Sequence, residues 1–284
     1  MNFTKVDLIS SDSEEIISMS FQDPTLEYSY VLKALLGLDV DELTTRYYGR
    51  SATGNNPFYT MNVGPRTVVI QVRLNPNYAV GETVRSLRAR VYKAISSTRT
   101  GALTLRFLNE QTSVAAISGF VTKVEAEHFS SKPELKITLD CGRDSLLRGE
   151  SYISVPTDFD NPQQAVIVDD VSEAPHGFKL DLRCSAPSAS LVFSDTNPHQ
   201  WSFQISPGVI NGSSGFLTGD RVFMSSEDND KQLYIVRGGV TYHLANQILA
   251  GSVWPIMFPG TTTFSITPNF DWESISYRTA YWGI

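Results

Sequence analysis

Ala115-Ala116-Ile117-Ser118-Gly119-Phe120-Val121-Thr122-Lys123-Val124-Glu125-Ala126-Glu127, followed shortly by Glu134-Leu135-Lys136-Ile137-Thr138-Leu139-Asp140-Cys141, is the passage that decides the fold. In its second half Leu135, Ile137, Leu139 and Cys141 occupy alternate positions and so share one face, the period-two pattern of a half-buried strand. The first half is a long strand in which Gly119 reads as a bulge. Upstream, Thr67-Val68-Val69-Ile70-Gln71-Val72-Arg73-Leu74 closes at the turn Asn75-Pro76-Asn77, and Ala102-Leu103-Thr104-Leu105-Arg106-Phe107-Leu108 repeats the pattern. These segments are expected to form one antiparallel sheet.

A single helix is expected from Glu82 to about Thr98. Val84, Leu87, Val91, Ala94 and Ile95 recur at helical spacing, Arg85, Arg88, Arg90 and Lys93 take the other faces, and Gly81 and Gly101 flank the segment. The apolar stripe is expected to pack on the sheet, and the basic face reads as a solvated surface. A weaker helical pattern covers Val31 to Leu36 or Val40 to Tyr47.

Beyond Arg148-Gly149-Glu150 the helical periodicity disappears. Short strands recur between dense turns: Ala165–Val168, Phe178–Cys184, Ser190–Phe193, Trp201–Ile205, Arg221–Ser225, Gln232–Val236 and Thr262–Ile266. Ser226-Glu227-Asp228-Asn229-Asp230-Lys231 reads as a polar hairpin loop. The sequence thus divides into residues 1–150, a mixed α+β domain, and residues 151–284, an all-β sandwich.

The charge follows the same division. Of 23 Lys and Arg against 30 Asp and Glu, residues 1–150 hold 17 of each, whereas residues 151–284 hold 6 against 13 and carry the whole net charge of −7. An acidic, Lys-poor second half speaks against phosphate binding there. With 41% hydrophobic and 11% aromatic residues, the 284-residue chain has the composition of a folded protein. Its start has no basic segment leading into an apolar one, and no apolar run is long enough to span a bilayer, so neither a secretory signal nor a membrane segment is expected. Cys141 and Cys184 are too few for a disulfide framework and fit a reducing cytoplasm.

The sequence carries no local signature of catalysis. It lacks a phosphate-binding loop, a dinucleotide fingerprint, a zinc-protease helix, a nucleophile elbow and zinc-type Cys/His spacing. Gly212-Ser213-Ser214-Gly215 has no lysine or following helix to cradle a phosphate and reads as a loop. His128, His176, His199 and His243 are scattered without ligand-spaced partners, so no metal is expected. Asp228-Asn229-Asp230 starts like a calcium loop but lacks its glycine and closing glutamate. Asp158 with Asp160, and Asp169 with Asp170, are carboxylate pairs that a glycosidase could use only at the right separation in space, and they read as acidic loops. Asn2-Phe3-Thr4 and Asn211-Gly212-Ser213 match a glycosylation sequon that has no meaning without secretion. Trp201, Tyr242, His243 and Trp254 lie in or beside the expected strand ends, where exposed rings could stack on sugar faces or serve as ordinary core residues.

Taken in order, these elements resemble the distal tail proteins of long-tailed bacteriophages. In the first domain the resemblance rests on Arg66 to Val72 running into Asn75-Pro76, on the helix with Val84, Leu87, Arg90 and Tyr92, and on Leu103 to Phe107. It rests most specifically on Gly119 to Glu125, Phe129-Ser130, and Pro133 to Ile137 ending at Cys141. In the second it rests on Gly219-Asp220-Arg221-Val222, Leu233-Tyr234-Ile235, Trp254-Pro255, Phe258-Pro259-Gly260, Phe264, Ile275 to Arg278 and Tyr281-Trp282-Gly283-Ile284. Two positions depart from the family pattern: Cys141 is followed by Gly142-Arg143-Asp144 rather than Asp-Pro, and Gly260 by Thr261 rather than Asn.

The resemblance implies a mainly β chain, with an N-terminal α+β ring-forming hub domain of antiparallel sheets plus one packed helix, followed by a C-terminal galectin-like jelly roll. It implies a non-enzymatic virion protein without cofactor, a homo-hexamer joining the tail tube protein to the tail-tip proteins. Such a ring offers docking sites to side fibres or receptor-binding proteins, and lets genome DNA pass without specific binding. It would be assembled in the host cytoplasm, reside in the tail tip and have no membrane partner. Two other readings stay open. A carbohydrate-binding adhesin requires Trp201, Tyr242 and Trp254 to converge on one exposed concave face, and a cell-wall hydrolase requires two carboxylates across a cleft.

Overall fold

A computed structural model describes residues 3–10, 16–21, 28–39, 43–48, 58–96, 102–109, 112–127, 132–142, 146–155, 165–197, 201–227 and 230–283. Residues 1–150 and 281–284 form one compact unit and residues 151–280 another. The second unit is therefore spliced into the chain of the first, which is left after Glu150 and rejoined at Tyr281.

The strands of the first unit are β1 (Lys5–Ser10), β2 (Ile16–Phe21), β3 (Tyr30–Leu36), β4 (Leu43–Tyr48), β5 (Phe58–Val63), β6 (Arg66–Leu74), β7 (Ala102–Asn109), β8 (Thr112–Ala126), β9 (Glu134–Gly142) and β10 (Leu147–Arg148), with helix α1 (Val84–Ser96) between β6 and β7. The expected sheet closes into a seven-stranded barrel, in the order β8-β7-β1-β2-β3-β6-β9 with β9 returning to β8. Closure depends on the length of β8. Its first part pairs with β7 up to Phe120, and its second part pairs with β9 from Phe120 to Ala126. Nor is the barrel wholly antiparallel, because β2 and β3 run parallel through Ser20 beside Val31 and Phe21 beside Leu32. Closing a sheet on itself removes the free edges that would otherwise template aggregation.

The barrel core is mostly aliphatic, with Phe107 and Tyr30 buried in it. Val6 and Leu8, Val68, Ile70, Val72 and Leu74, Leu103 and Leu105, and Leu135, Ile137 and Leu139 all alternate inward and are buried. Helix α1 contributes Leu87, Val91 and Ala94 to the same core, and the buried Tyr30 hydroxyl donates to the Leu87 carbonyl at 3.0 Å. Thr83 and Ser86 cap its start reciprocally, each side-chain oxygen accepting the other's backbone N–H at 3.0 and 2.9 Å. The two weak helical expectations are overturned, since residues 31–36 lie in β3 and residues 43–47 lie in β4. Tyr30 and Val31, and the run Thr44, Thr45, Tyr47 and Tyr48, suit the pleated surface, and strand pairing with β6 and β5 outweighs the helical spacing.

In the second unit the strands are β11 (Ile153–Val155), β12 (Ala165–Asp170), β13 (Phe178–Cys184), β14 (Leu191–Asn197), β15 (Ser202–Ile205), β16 (Val209–Ile210), β17 (Ser213–Ser214), β18 (Arg221–Ser225), β19 (Gln232–Arg237), β20 (Val240–His243), β21 (Gly260–Ile266) and β22 (Phe270–Tyr277); β23 (Ala280–Tyr281) leads out of it. One sheet runs β11-β22-β13-β18-β19-β20 and a second runs β12-β21-β14-β15. Both feed one core, in which Phe178, Phe193, Phe203, Phe216, Phe264 and Phe270 are fully buried. Strand β22 escapes sequence reading because two polar residues in a row, Glu273 and Ser274, interrupt its alternation. The register slips between Asp181 and Leu182 where β13 meets it, so a strict period of two does not hold.

Candidate functional site

The most specific residues of the sequence reading meet at the barrel seam. Gly119 sits where β8 turns from β7 toward β9. A Cβ built on it would lie 2.8 Å from Cys141 Sγ and 2.9 Å from the Asp140 carbonyl oxygen. Its role is thus close approach of two strands; the register shift between β8 and β9 comes two residues later, between Val121 and Lys123. The glycine and the cysteine form one contact, and burial pushes the Cys141 thiol up to about 11, so it packs rather than reacts. Phe129 and Ser130 lie outside the described residues.

Next to this contact, Arg66, which lies opposite Gly142 of β9, is buried on the inward face of β6 and donates from Nη2 to the Trp282 carbonyl at 2.7 Å. Tyr281 packs on the same barrel core. Tyr281 and Trp282, which the resemblance singled out, are thereby fastened to the barrel.

In the sandwich, Gly219 and Asp220 belong to a buried ionic clamp. The backbone turns at Gly219 with φ of +90°, and its N–H donates to the Cys184 carbonyl at 2.8 Å. Asp220 then receives Arg237 Nε at 3.0 Å and Nη2 at 2.7 Å, together with the Leu217 N–H at 2.7 Å. The remaining guanidinium hydrogens reach the carbonyls of Ile210 at 2.8 Å and Gly215 at 2.6 Å. The clamp fixes the small β16–β17 hairpin, whose turn residues Asn211 and Gly212 both have positive φ. Sequence reasoning found Asp220 but missed Arg237. The signal was available, because alternation places Arg237 on the inward side of β19 with Leu233 and Ile235.

The four aromatic candidates do not form a sugar platform. Trp201 is a core residue, 6% exposed, packed against Phe193 and Phe264, with its indole N–H donating to the Ile256 carbonyl at 3.2 Å. Trp254 is half-buried against Phe203 and Tyr242 packs on the same core, while His243 is exposed on β20. Trp201 cannot offer a face to a sugar, so the adhesin condition of three converging exposed rings fails. What gathers on the outer side of the six-stranded sheet is a row of which sequence reading offered only His243 as a binding residue. Phe223 and Tyr234 stack at 5.0 Å, His243 meets Tyr234 edge-on at 6.3 Å, and the Arg221 guanidinium lies 5.0 Å from the Phe223 ring while pairing with Asp181. These groups are cross-strand neighbours in register. They use up one another's ring faces, which fits sheet stabilisation better than ligand stacking.

The expected solvated loop 226–231 is also corrected in part: Ser226 and Glu227 are buried. Ser226 Oγ accepts from the Phe178 N–H at 3.0 Å, and Glu227 receives the Tyr152 hydroxyl at 2.7 Å and Arg278 Nε at 3.2 Å. Asp228 and Asn229, Asp158 and Asp160, and His128 and His199 lie outside the described residues. Gly260, at φ of +92°, starts β21 opposite Asp170. Asp169 and Asp170 are consecutive on β12, the first exposed and the second buried, and so do not face each other across a cleft. Among the described residues no group of three metal-binding side chains occurs, and no helix is long and apolar enough to cross a membrane.

No protein-family model matches the chain, and no curated protein matches it. Solved structures do. The Dit (gp 19.1) protein of SPP1, described as a paradigm of the hub adsorption apparatus in phages infecting Gram-positive hosts, is similar over 99% of both chains, with a TM-score of 0.58 and 14% identity. Chains from two structures of the phage P2 baseplate in its activated conformation, with Ca and with Sr, cover all of this chain at TM-scores of 0.48 and 0.45 and 11% identity. The barrel with its spliced-in sandwich is, over nearly the whole chain, the fold of the SPP1 Dit protein, as the resemblance to distal tail proteins implied.

Proposed function

We propose that this chain is a distal tail protein, a structural part of a phage tail tip that forms a hexameric hub ring between the tail tube and the tip proteins. The observation that carries the reading is likeness to the SPP1 Dit protein over 99% of both chains, barrel and sandwich together. A match confined to either unit would speak only of a common β architecture. The barrel serves as the ring-forming unit and the galectin-like sandwich as a platform for fibres or receptor-binding proteins. DNA passes through the ring without being held, and no step of this role needs catalysis or a cofactor. Strands β4 and β5 support ring formation, because this hairpin pairs with no third strand among the described residues. A neighbouring copy would give it one, and head-to-tail contacts of that kind close into rings.

The test is the native mass of the full-length protein, measured together with the projection of negatively stained particles. A species near six times 31.5 kDa with an annular outline supports the hub ring. A species that stays monomeric both alone and when mixed with its tail tube protein sinks it.

A further inference from the structure

Among the described residues the two sheets of the sandwich end in four edge strands, β11 and β20 on one sheet and β12 and β15 on the other. Three of these edges are guarded. Along β15 the Leu249 N–H donates to the Gln204 carbonyl at 3.0 Å and the Val253 N–H to the Ser202 carbonyl at 3.1 Å, so a loop covers that edge. β11 has three residues and β20 has four, lengths that offer little ladder to another chain. β12 is different. Its six residues pair with β21 on one side in unbroken register, and with no strand on the other side among the described residues. Free edges are ordinarily blunted by lysine, proline, a bulge or a charge. Ala165 to Val168 have none of these, and acidic residues come only at the end of the strand, Asp169 outward and Asp170 inward.

The open stretch presents an apolar surface. Ile167 is 64% exposed on the outer face, while Val166 and Val168 on either side of it turn into the core. Asp169 is the one outward charge, and its carboxylate accepts from the Thr261 hydroxyl at 2.7 Å on the neighbouring strand. A charged partner strand would therefore find little to recognise. The stretch is, however, a palindrome, because Val166-Ile167-Val168 reads alike in both directions. Residues opposed in an antiparallel pair lie on the same face of the sheet. A strand that pairs with its own copy thus keeps inward beside inward only where the two-fold axis passes through a residue. With the axis at Ile167, the two isoleucines meet on the outer face, Val166 meets Val168 on the core side, and Asp169 falls opposite Ala165 rather than opposite another carboxylate. Moving the axis to Val168 would set Asp169 against Ile167 and lose that match.

We infer that β12 is a self-recognising edge, through which two copies of this chain join their four-stranded sheets into one continuous sheet, antiparallel and about a two-fold axis at Ile167. The contact covers the unguarded edge and the exposed isoleucine together. It is short, and each sandwich is acidic, with 6 Lys and Arg against 13 Asp and Glu over residues 151–284, so the association is weak and is strengthened by protein concentration and by salt. It is isologous, unlike the head-to-tail contact of the proposed ring, so either contact can exist without the other.

The experiment is oxidative cross-linking of the full-length Ile167→Cys protein, read as a species of twice 31.5 kDa in the absence of reductant. Opposed residues of an antiparallel pair lie about 5 Å apart at Cα, within the span of a disulfide. Ile167→Cys is expected to cross-link about tenfold faster than Val209→Cys, whose site on β16 is 75% exposed and lies outside the contact. The native thiols compete weakly, because burial pushes Cys141 and Cys184 up to about 11. Orientation is read by mixing: the Ala165→Cys and Asp169→Cys proteins are expected to cross-link to each other, and neither to itself. Ile167→Cys that reacts no faster than Val209→Cys overturns the pairing. So does Ala165→Cys that links to itself as fast as to Asp169→Cys, the result of parallel strands. Both outcomes are read whether or not the protein forms a ring, so failure of the pairing and failure of the hub ring remain separate results.

Discussion

The barrel and the sandwich solve the same problem with different chemistry. In the barrel the strands close on themselves into one backbone ladder, and the interior is filled mostly by aliphatic side chains, with Phe107 and Tyr30 among them. In the sandwich two separate sheets must be held face to face and their connecting loops held down. There the core is built from interlocked rings, and buried polar and charged side chains tie the loops: Arg237 with Asp220, His176 with Asp170, and Glu227 with Tyr152 and Arg278. Closure spreads stability evenly over a ladder, whereas clamping concentrates it at a few side chains. Single substitutions should therefore hurt the sandwich more.

The sharpest test is Phe193, whose ring lies within 6 Å of the rings of Phe178, Trp201, Phe264 and Trp272. Phe193→Ala is expected to cost ~4 kcal/mol, the range for deleting a fully buried aromatic ring. Denaturant unfolding should then show the sandwich melting first and the barrel transition unmoved. Ile137→Ala in the barrel wall should cost less, ~3 kcal/mol. If the barrel variant is the more damaging, the contrast between the units is wrong.

Next in size is the clamp. Arg237→Met strands the Asp220 carboxylate, 2% exposed, and is expected to destabilise the sandwich by about 3 kcal/mol. Replacing both partners, Arg237→Met with Asp220→Leu, should recover a large part of the loss, because no charge is then left unpaired. The β16–β17 hairpin should nonetheless lose exchange protection in the double variant, since its carbonyls no longer meet a guanidinium. Equal losses in the single and double variants would mean that hairpin packing, and not the buried charge, carries the energy.

At the barrel seam the effect is steric. Gly119→Ala introduces a methyl group into the space between Cys141 Sγ and the Asp140 carbonyl and is expected to cost about 2 kcal/mol. Cys141→Ala in the same chain should return part of this by removing the sulfur, but not all, because the backbone oxygen remains. Thermal unfolding of the two single variants and the double variant measures the coupling directly.

These contrasts also explain what the sequence could show. The strands β6 to β9 and most of the sandwich strands are legible because their inward residues alternate without interruption. Barrel closure is not legible: nothing in residues 115–141 states that β8 pairs with two partners along its length, and β1, with Val6 and Leu8 alternating inside, went unread for want of turn punctuation. The aromatic candidates fail for a related reason. A tryptophan reads the same whether its strand turns it inward, as with Trp201, or its loop leaves it half-covered, as with Trp254. Asp220 stood out beside a glycine, but its partner Arg237 lies seventeen positions along the chain on another strand, and only pairing of β18 with β19 brings the two together.

The smallest expected effect lies on the barrel side and fixes the sign of its acid response. Glu82, just ahead of α1, accepts from the Ser29 hydroxyl at 2.7 Å and the Asn77 N–H at 3.1 Å and pairs with Arg90 at 3.0 Å. The Ser29 hydroxyl first, then the Asn77 amide, hold its carboxyl below the usual carboxylate range. A carboxyl lowered in the folded state stabilises the fold above its ordinary titration range and loses that contribution as the pH falls through its folded value. Glu82→Gln should therefore cost about 1 kcal/mol at neutral pH, roughly the net worth of one ordinary hydrogen bond, and progressively less in acid. The measurement is the difference in barrel unfolding between the two proteins at pH 7 and at pH 3. A gap that widens toward acid would show that Glu82 is a source of acid strain rather than of stability.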